Sequence, residues 1–191
     1  PGFASSKTQY WGPKRTGDEY LPDRMGRHAA DFIARHAAKP FFLYVGFNAV
    51  HSPWQGRRAD QARFAHLPHE VLQLYASMVA ALDENVGRIL DALRAHRLEE
   101  NTLVIFLADN GPAKGGPHLE GWKPAWPKGI TVVGSAGPLR GAKTDLWEGG
   151  IREPFIVRWP ARLAAGATCR SPVTSLDVLP TVCAAAGAAV P

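Results

Sequence analysis

"TLVIFLADNGP", residues 102–112, is the stretch on which the reading of this chain turns. An apolar run of strand length leads straight into Asp109, Asn110 and Gly111. Such a run is what a strand covered on both faces looks like. The Asn-Gly pair that follows is a turn signal. The same residues also set a carboxylate beside an amide oxygen, hard ligands of the kind Ca²⁺ or Mg²⁺ takes. Taken alone, the stretch favours a plain turn over half of a metal site.

The segment before it is the most regular in the chain. Val71, Leu74, Tyr75, Met78, Val79, Leu82, Val86, Ile89, Leu90 and Leu93 follow the i, i+3, i+4 spacing of one long helix, closed by "HRLEEN". Further upstream, "FFLYVGF" (41–47) is a second apolar run of strand length. Strand, helix and strand predict a βαβ unit with parallel strands and a right-handed crossover. That topology puts His51, just past the first strand, and Asp109, just past the second, at one edge of the sheet. In open α/β sheets this is the edge where ligands bind.

The outer segments are read more coarsely. Residues 1–21 form an irregular lead-in, and Asp23 caps a helix that runs to about Ala38 with Phe32, Ile33 and Ala37 inward. Residues 48–69 read as a loop. The tract 111–141 is rich in Gly, Pro and Trp, and its 111–137 part is a long loop of the kind that often carries function. "PFIVRWP" (154–160) is a third strand. "SLDVLPTVCAAAG" (175–187) is a closing helix that starts near Ser175 or Asp177 and stops at Gly187.

Bulk composition narrows the class. The 191 residues are 46% hydrophobic and 20% charged, ordinary values for a globular protein. The formal charge of +5 favours anionic partners, but no run of Lys and Arg supports nucleic-acid binding. No apolar stretch reaches the roughly 18 residues of a membrane span. Cys169 and Cys183 are too few for a disulfide framework and lack metal-ligand spacing.

Two further stretches carry chemistry. In "AVHSP" (49–53), His51 is either a solvated loop residue or an imidazole held at the sheet edge, able to donate a proton or contact an anion. In "GPLRGAKTDLWEGGIREP" (137–154), Lys143 offers an ammonium within a Gly-rich segment. The spacing there does not match the P-loop, which needs Gly, four residues, Gly, Lys and Ser/Thr. His118, Trp122 and Trp126 in the long loop are candidates to line a substrate cleft, with indole faces that can stack on a sugar or aryl group.

Together "KPFFLYVGFNAVHSP", "YASMVAALDENVGRILDAL", "NTLVIFLADNGP", "GPLRGAKTDLWEGGIREPFIVRWP" and "SLDVLPTVCAAAG" resemble, in order, the type I sulfatases of the alkaline-phosphatase-like superfamily. The resemblance implies an α/β fold with a mixed, mainly parallel sheet flanked by helices. It also implies a sulfuric ester hydrolase acting on aryl or glycan sulfate esters. By resemblance, Asp109 and Asn110 are ligands of a Ca²⁺ ion, with Mg²⁺ as an alternative. Lys143 binds a sulfate oxygen and steadies the leaving group, and His51 contacts the ester as general acid. An extracytoplasmic location, periplasmic or secreted, is implied in the same way.

The departure concerns the nucleophile, a formylglycine made in the family from Cys/Ser-x-Pro/Ala-x-Arg. Cys169 begins "CRSPV" and Cys183 begins "CAAAG"; neither fits, and no serine does. The family's paired aspartates and its Lys-x-His element are absent as well. The expectation is therefore that residues 1–191 are the middle-to-C-terminal part of one catalytic domain. A phosphate or phosphonate ester hydrolase of the same superfamily and a non-catalytic binder of sulfated glycans are the alternatives. The 191-residue chain by itself is expected to leave aryl sulfates intact; turnover by the purified chain would overturn that expectation.

Overall fold

A computed structural model describes residues 10–11, 19–51, 54–113 and 134–190. Its elements in chain order are β1 (Tyr10–Trp11), α1 (Leu21–His36), β2 (Gln55–Gly56), α2 (Gln61–Phe64), α3 (Glu70–Ala95), β3 (Val104–Leu107), α4 (Glu148–Ile151), β4 (Phe155–Arg158) and α5 (Val178–Ala186).

Helix α3 is the long helix that the periodicity requires. Val71, Leu74, Met78, Ala81 and Leu93 are buried along it. Val79 is not: the spacing assigns it inward, yet it is 43% exposed. Ser77 and Asn85 take the buried face instead. Helix α1 packs along α3 through Ala29 and Ile33. At their crossing Gly26 lies so close to Asn85 that an added Cβ would collide with its amide.

Asp23 does not cap α1. The N-cap is Tyr20, in extended backbone and without a side-chain cap bond, and Pro22 sits in the first turn, where a missing N–H costs nothing. The Asp23 carboxylate is drawn away by stronger partners. It accepts from Asn85 Nδ2 at 2.8 Å and lies 3.5 Å from Arg57. Arg57 is the hub of this network. Its Nε donates to Asp60 Oδ2 at 2.8 Å, and an Nη to Glu84 Oε2 at 2.6 Å. Ser77 Oγ donates to Asp60 Oδ2 at 3.0 Å and accepts from the Arg57 amide at 3.0 Å. Burial of Ser77, Asp60 and Asn85 is tolerable because each is hydrogen-bonded.

The expected loop at 48–69 is partly ordered into β2, a 3-10 turn at Arg58–Asp60, and α2. Trp54 from this segment completes a core cluster with Val71, Leu74 and Met78, against which Ala49 and Val50 pack.

The fold is mixed α/β, as the sequence indicates, but the βαβ unit is not formed as expected. Residues 41–47 are extended without a ladder partner among the described residues, and Phe42 and Tyr44 are 69% and 82% exposed. A strand needs a neighbour's hydrogen bonds as well as an apolar sequence. The two described ladders lie elsewhere. β1 pairs with β2 in parallel, and β3 pairs with β4 antiparallel, from Val104 opposite Arg158 to Leu107 opposite Phe155. At the C-terminal end the helix starts where expected: a 3-10 turn at Ser175–Asp177 leads into α5 with Asp177 at its N-cap, and Thr174 caps that turn, its Oγ1 accepting from the Leu176 amide and its own amide donating to Asp177 Oδ2 at 2.7 Å. Gly187 ends α5 at φ +67°, as expected.

Replacing Arg57 with Met strands the buried Asp60 carboxylate, and we expect a loss of about 3 kcal/mol in urea unfolding. The Arg57 hydrogen bond also holds Glu84 below the usual carboxylate range. Glu84's share of stability is thus complete at neutral pH and is lost as pH falls through its lowered pKa. The wild-type advantage over Arg57→Met should narrow in acid for that reason.

Candidate active site

Three backbone segments meet where β3 ends, because glycines let them touch. The β3–β4 ladder gains one more bond, from the Ala108 amide to the Pro154 carbonyl at 3.3 Å. The Gly111 amide then donates to the Gly150 carbonyl at 3.2 Å, and a Cβ on Gly111 would run into the Gly149 carbonyl oxygen. Gly149 in turn donates to the Arg140 carbonyl at 2.7 Å and faces the Gly141 carbonyl. Gly150 abuts the carbonyls of Ala142 and Asp145. Across this junction the Lys143 amide donates to the Pro112 carbonyl at 3.0 Å. The strand end bearing Asp109 and Asn110 is therefore bolted to the loop bearing Lys143.

Asp109 is exposed and Asn110 half-buried. Asn110 Nδ2 donates to the Gly111 carbonyl at 3.1 Å, which fixes the amide and leaves Oδ1 as its acceptor end. Glu153, which the sequence reading passed over, stands opposite Asp109 when the β3–β4 register is continued past Ala108 and Pro154. Its Oε1 is buried without a hydrogen-bond partner among the described residues. Burial first, and then the Asp109 charge, push the Glu153 carboxyl above its ordinary range. Among the described residues no three His, Cys, Asp or Glu side chains gather as a metal cluster. The Asp109 carboxylate and the Asn110 amide are hard oxygen donors of the type a divalent cation takes, and the orphaned Glu153 oxygen belongs to the residue across the ladder from Asp109.

His51 is exposed in the bend after Val50, and its amide donates to the Asn48 carbonyl at 2.9 Å. Its position is set by Ala49 and Val50, which pack on the Trp54 cluster. Tyr75 extends that cluster, with its ring edge-on to Trp54 at 6.1 Å. The Tyr75 hydroxyl and the Pro112 side chain both lie 3.1 Å from the point where a Cβ on Gly134 would stand. Contacts thus run from the His51 bend through Tyr75 to Gly134, which Pro112 also flanks, and from Pro112 on to Lys143. The sequence reading used Tyr75 only as core; burial raises the pKa of its hydroxyl and keeps it protonated. His118, Trp122 and Trp126 lie outside the described residues. Cys169 is exposed and Cys183 half-buried on α5, and neither stands in a formylglycine motif.

A family model described as Sulfatase matches residues 1–188. The chain belongs to the sulfatase family. Among sulfatases it is 37% identical over 171 residues to the steryl-sulfatase of Mus musculus, covering 90% of this chain and 25% of that protein. It is 35% identical over 146 residues to an N-acetylgalactosamine-6-O-sulfatase of Bacteroides thetaiotaomicron, covering 76% of this chain and 27% of that one. The crystal structure of Ps i-CgsB in complex with k-i-k-neocarrahexaose superposes with a TM-score of 0.75 at 34% identity, over 94% of this chain and 37% of that chain. The chain spans about a quarter of the length of the curated sulfatases it matches.

Glu153 gives a test that needs no turnover. Its raised pKa means that ionising it costs more in the folded than in the unfolded chain. That cost is absent below the unfolded pKa and is complete once pH has risen through the folded pKa. Glu153→Gln should therefore raise Tm at pH 7 in chelator-treated buffer, with the gain fading as pH drops below the ordinary carboxylate range.

Proposed function

We propose that this chain forms the metal-and-lysine half of a sulfuric ester hydrolase acting on aryl or carbohydrate sulfate esters. The observation that carries the reading is the glycine-lined junction joining the Asp109–Asn110 strand end to the Lys143 loop, in a chain matched to the sulfatase family over residues 1–188. The relatives span both classes: steryl-sulfatases on one side, and on the other a protein named N-acetylgalactosamine-6-O-sulfatase and a structural neighbour solved in complex with k-i-k-neocarrahexaose.

Asp109 and Asn110 would hold a calcium ion, with magnesium as the alternative. When bound, the ion supplies positive charge for the sulfuryl oxygens. The remaining roles belong to this chain's own residues. S–O cleavage leaves negative charge on the departing oxygen, and an ammonium held near it by the backbone is a preorganised stabiliser. Lys143, with its amide tied to Pro112, is that ammonium. His51, on its anchored bend, donates the proton that lets the alcohol leave. Cys169 and Cys183 do not fit the formylglycine pattern, so no step is assigned to them. An extracytoplasmic location accompanies this reading. Among the described residues no helix is long and apolar enough to cross a membrane.

The test is turnover by the whole protein of an aryl sulfate and of sulfated glycans, against a phosphate monoester. Lys143→Ala and His51→Ala should each lower kcat by about 100-fold or more on the sulfate ester. Preferential phosphate turnover would favour a phosphoesterase of the same superfamily. Glycan affinity without turnover would favour a binding relative.

A further inference from the structure

Lys143 occupies one corner of a turn that is closed twice. The Asp145 amide donates to the Ala142 carbonyl at 2.9 Å, so Lys143 and Thr144 are the two central residues of a β-turn. Thr144 has φ +78° and Lys143 has negative φ, the pattern of a type II turn. The second central position of that turn ordinarily takes Gly or Asn; a β-branched Thr there is strained and persists only where its surroundings over-determine it. The surroundings here do so. Asp145 Oδ2 accepts from the Ala142 amide at 3.0 Å, so Asp145 clasps both polar groups of Ala142. Gly141, at φ +93°, brings the chain in beneath this clasp, and Gly150 closes on the Ala142 and Asp145 carbonyls from the other side. On the outer side the Arg140 guanidinium stacks on the Trp147 ring at 3.7 Å and secures the two flanks of the loop.

A lysine side chain has four rotatable bonds and a mobile ammonium, and misplacement of a reacting group by about 1 Å can cost on the order of 100-fold in rate. The flanking glycines alone would leave its backbone free to swing. We infer that Asp145 is a positioning residue for Lys143: its carboxylate clasp on the Ala142 amide holds the strained Lys143–Thr144 turn in the one orientation that aims the lysine at the bound sulfate group. The inference rests on the proposed role of Lys143.

The experiment uses the whole protein and four variants: Asp145→Ala, Asp145→Asn, Lys143→Ala and the Asp145→Ala/Lys143→Ala double. Asp145→Ala should lower kcat/KM on an aryl sulfate by about 30-fold or more, because a displaced lysine loses the sulfate group in the bound state as well as in the reacting state. Asp145→Asn, whose amide oxygen accepts the same N–H, should restore most of the rate. In the Lys143→Ala background, Asp145→Ala should cost nothing further, because the clasp acts only through the lysine. Amide hydrogen exchange at Ala142 should quicken in Asp145→Ala and recover in Asp145→Asn. Affinity for inorganic sulfate should fall in Asp145→Ala and in Lys143→Ala by similar factors. Additive losses in the double variant, an Asn variant as impaired as the Ala variant, or unchanged exchange at Ala142 would each overturn the inference. Absence of sulfate-ester turnover in the wild-type protein would refute the proposed reaction alone. Ala142 exchange and inorganic-sulfate affinity would then still decide whether the clasp positions Lys143.

Discussion

Backbone-to-backbone contact at Gly111, Gly149 and Gly150 is the constraint on which the rest of this structure depends. Each of these glycines is so close to a facing carbonyl that a single methyl group would force the segments apart. Removing side chains from an interface normally forfeits apolar burial, which is the main source of stability. Here the loss is made up by hydrogen bonds between backbone groups: Gly111 to Gly150, Gly149 to Arg140 and Lys143 to Pro112. What the arrangement gains is proximity. A strand end carrying hard oxygen donors and a loop carrying an ammonium are held together without side chains intervening.

The other half of the architecture works on the opposite principle. The α1–α3 crossing and the 54–60 segment are joined by a charged network around Arg57, with Asp23, Asp60 and Glu84 as its acceptors. Such a network contributes little net stability, because desolvation offsets attraction. Its hydrogen bonds nonetheless tie α1, α3 and the 54–60 segment to one another. That packing supports the bend under His51. The site thus has a rigid side built from bare backbone and a side whose alignment is set by charge.

What could be read from the sequence follows from what each signal encodes. The periodicity of α3 was legible because helical hydrogen bonds are local and the apolar stripe has only one way to be buried. Its one misassigned residue, Val79, shows where the reading ended: the stripe cannot reveal that Ser77 and Asn85 are wanted inside by partners on other segments. The same limit explains Asp23, which looks like a helix cap until Asn85 and Arg57 compete for it. Strand pairing is non-local, so the apolar content of 41–47 said nothing about a neighbour, and the antiparallel partner of β3 was not foreseen. That pairing is also what brings Glu153 opposite Asp109. The residue was visible in "GGIREP", but its position became meaningful only with the register. Asp109, Asn110 and Lys143 were singled out because their residue types suit the chemistry and because the motif order resembles a known family. Asp145 and Tyr75 carry no such signature, since their contributions are a turn and a contact.

Tyr75 has a consequence for how the chain can vary. It sits on α3 between the cluster under His51 and Gly134, beside Pro112, so the helix carries phase information as well as apolar surface. Adding or deleting one residue within the helix just C-terminal to Tyr75 would turn its ring by about 100° relative to the rest of α3. The apolar stripe could be repaired by substitution, but the bridge between the two ends of the site could not. The length of this stretch is therefore fixed more tightly than its composition, and drift in this protein should proceed by replacement along α3 and by insertion only in the loops beyond it.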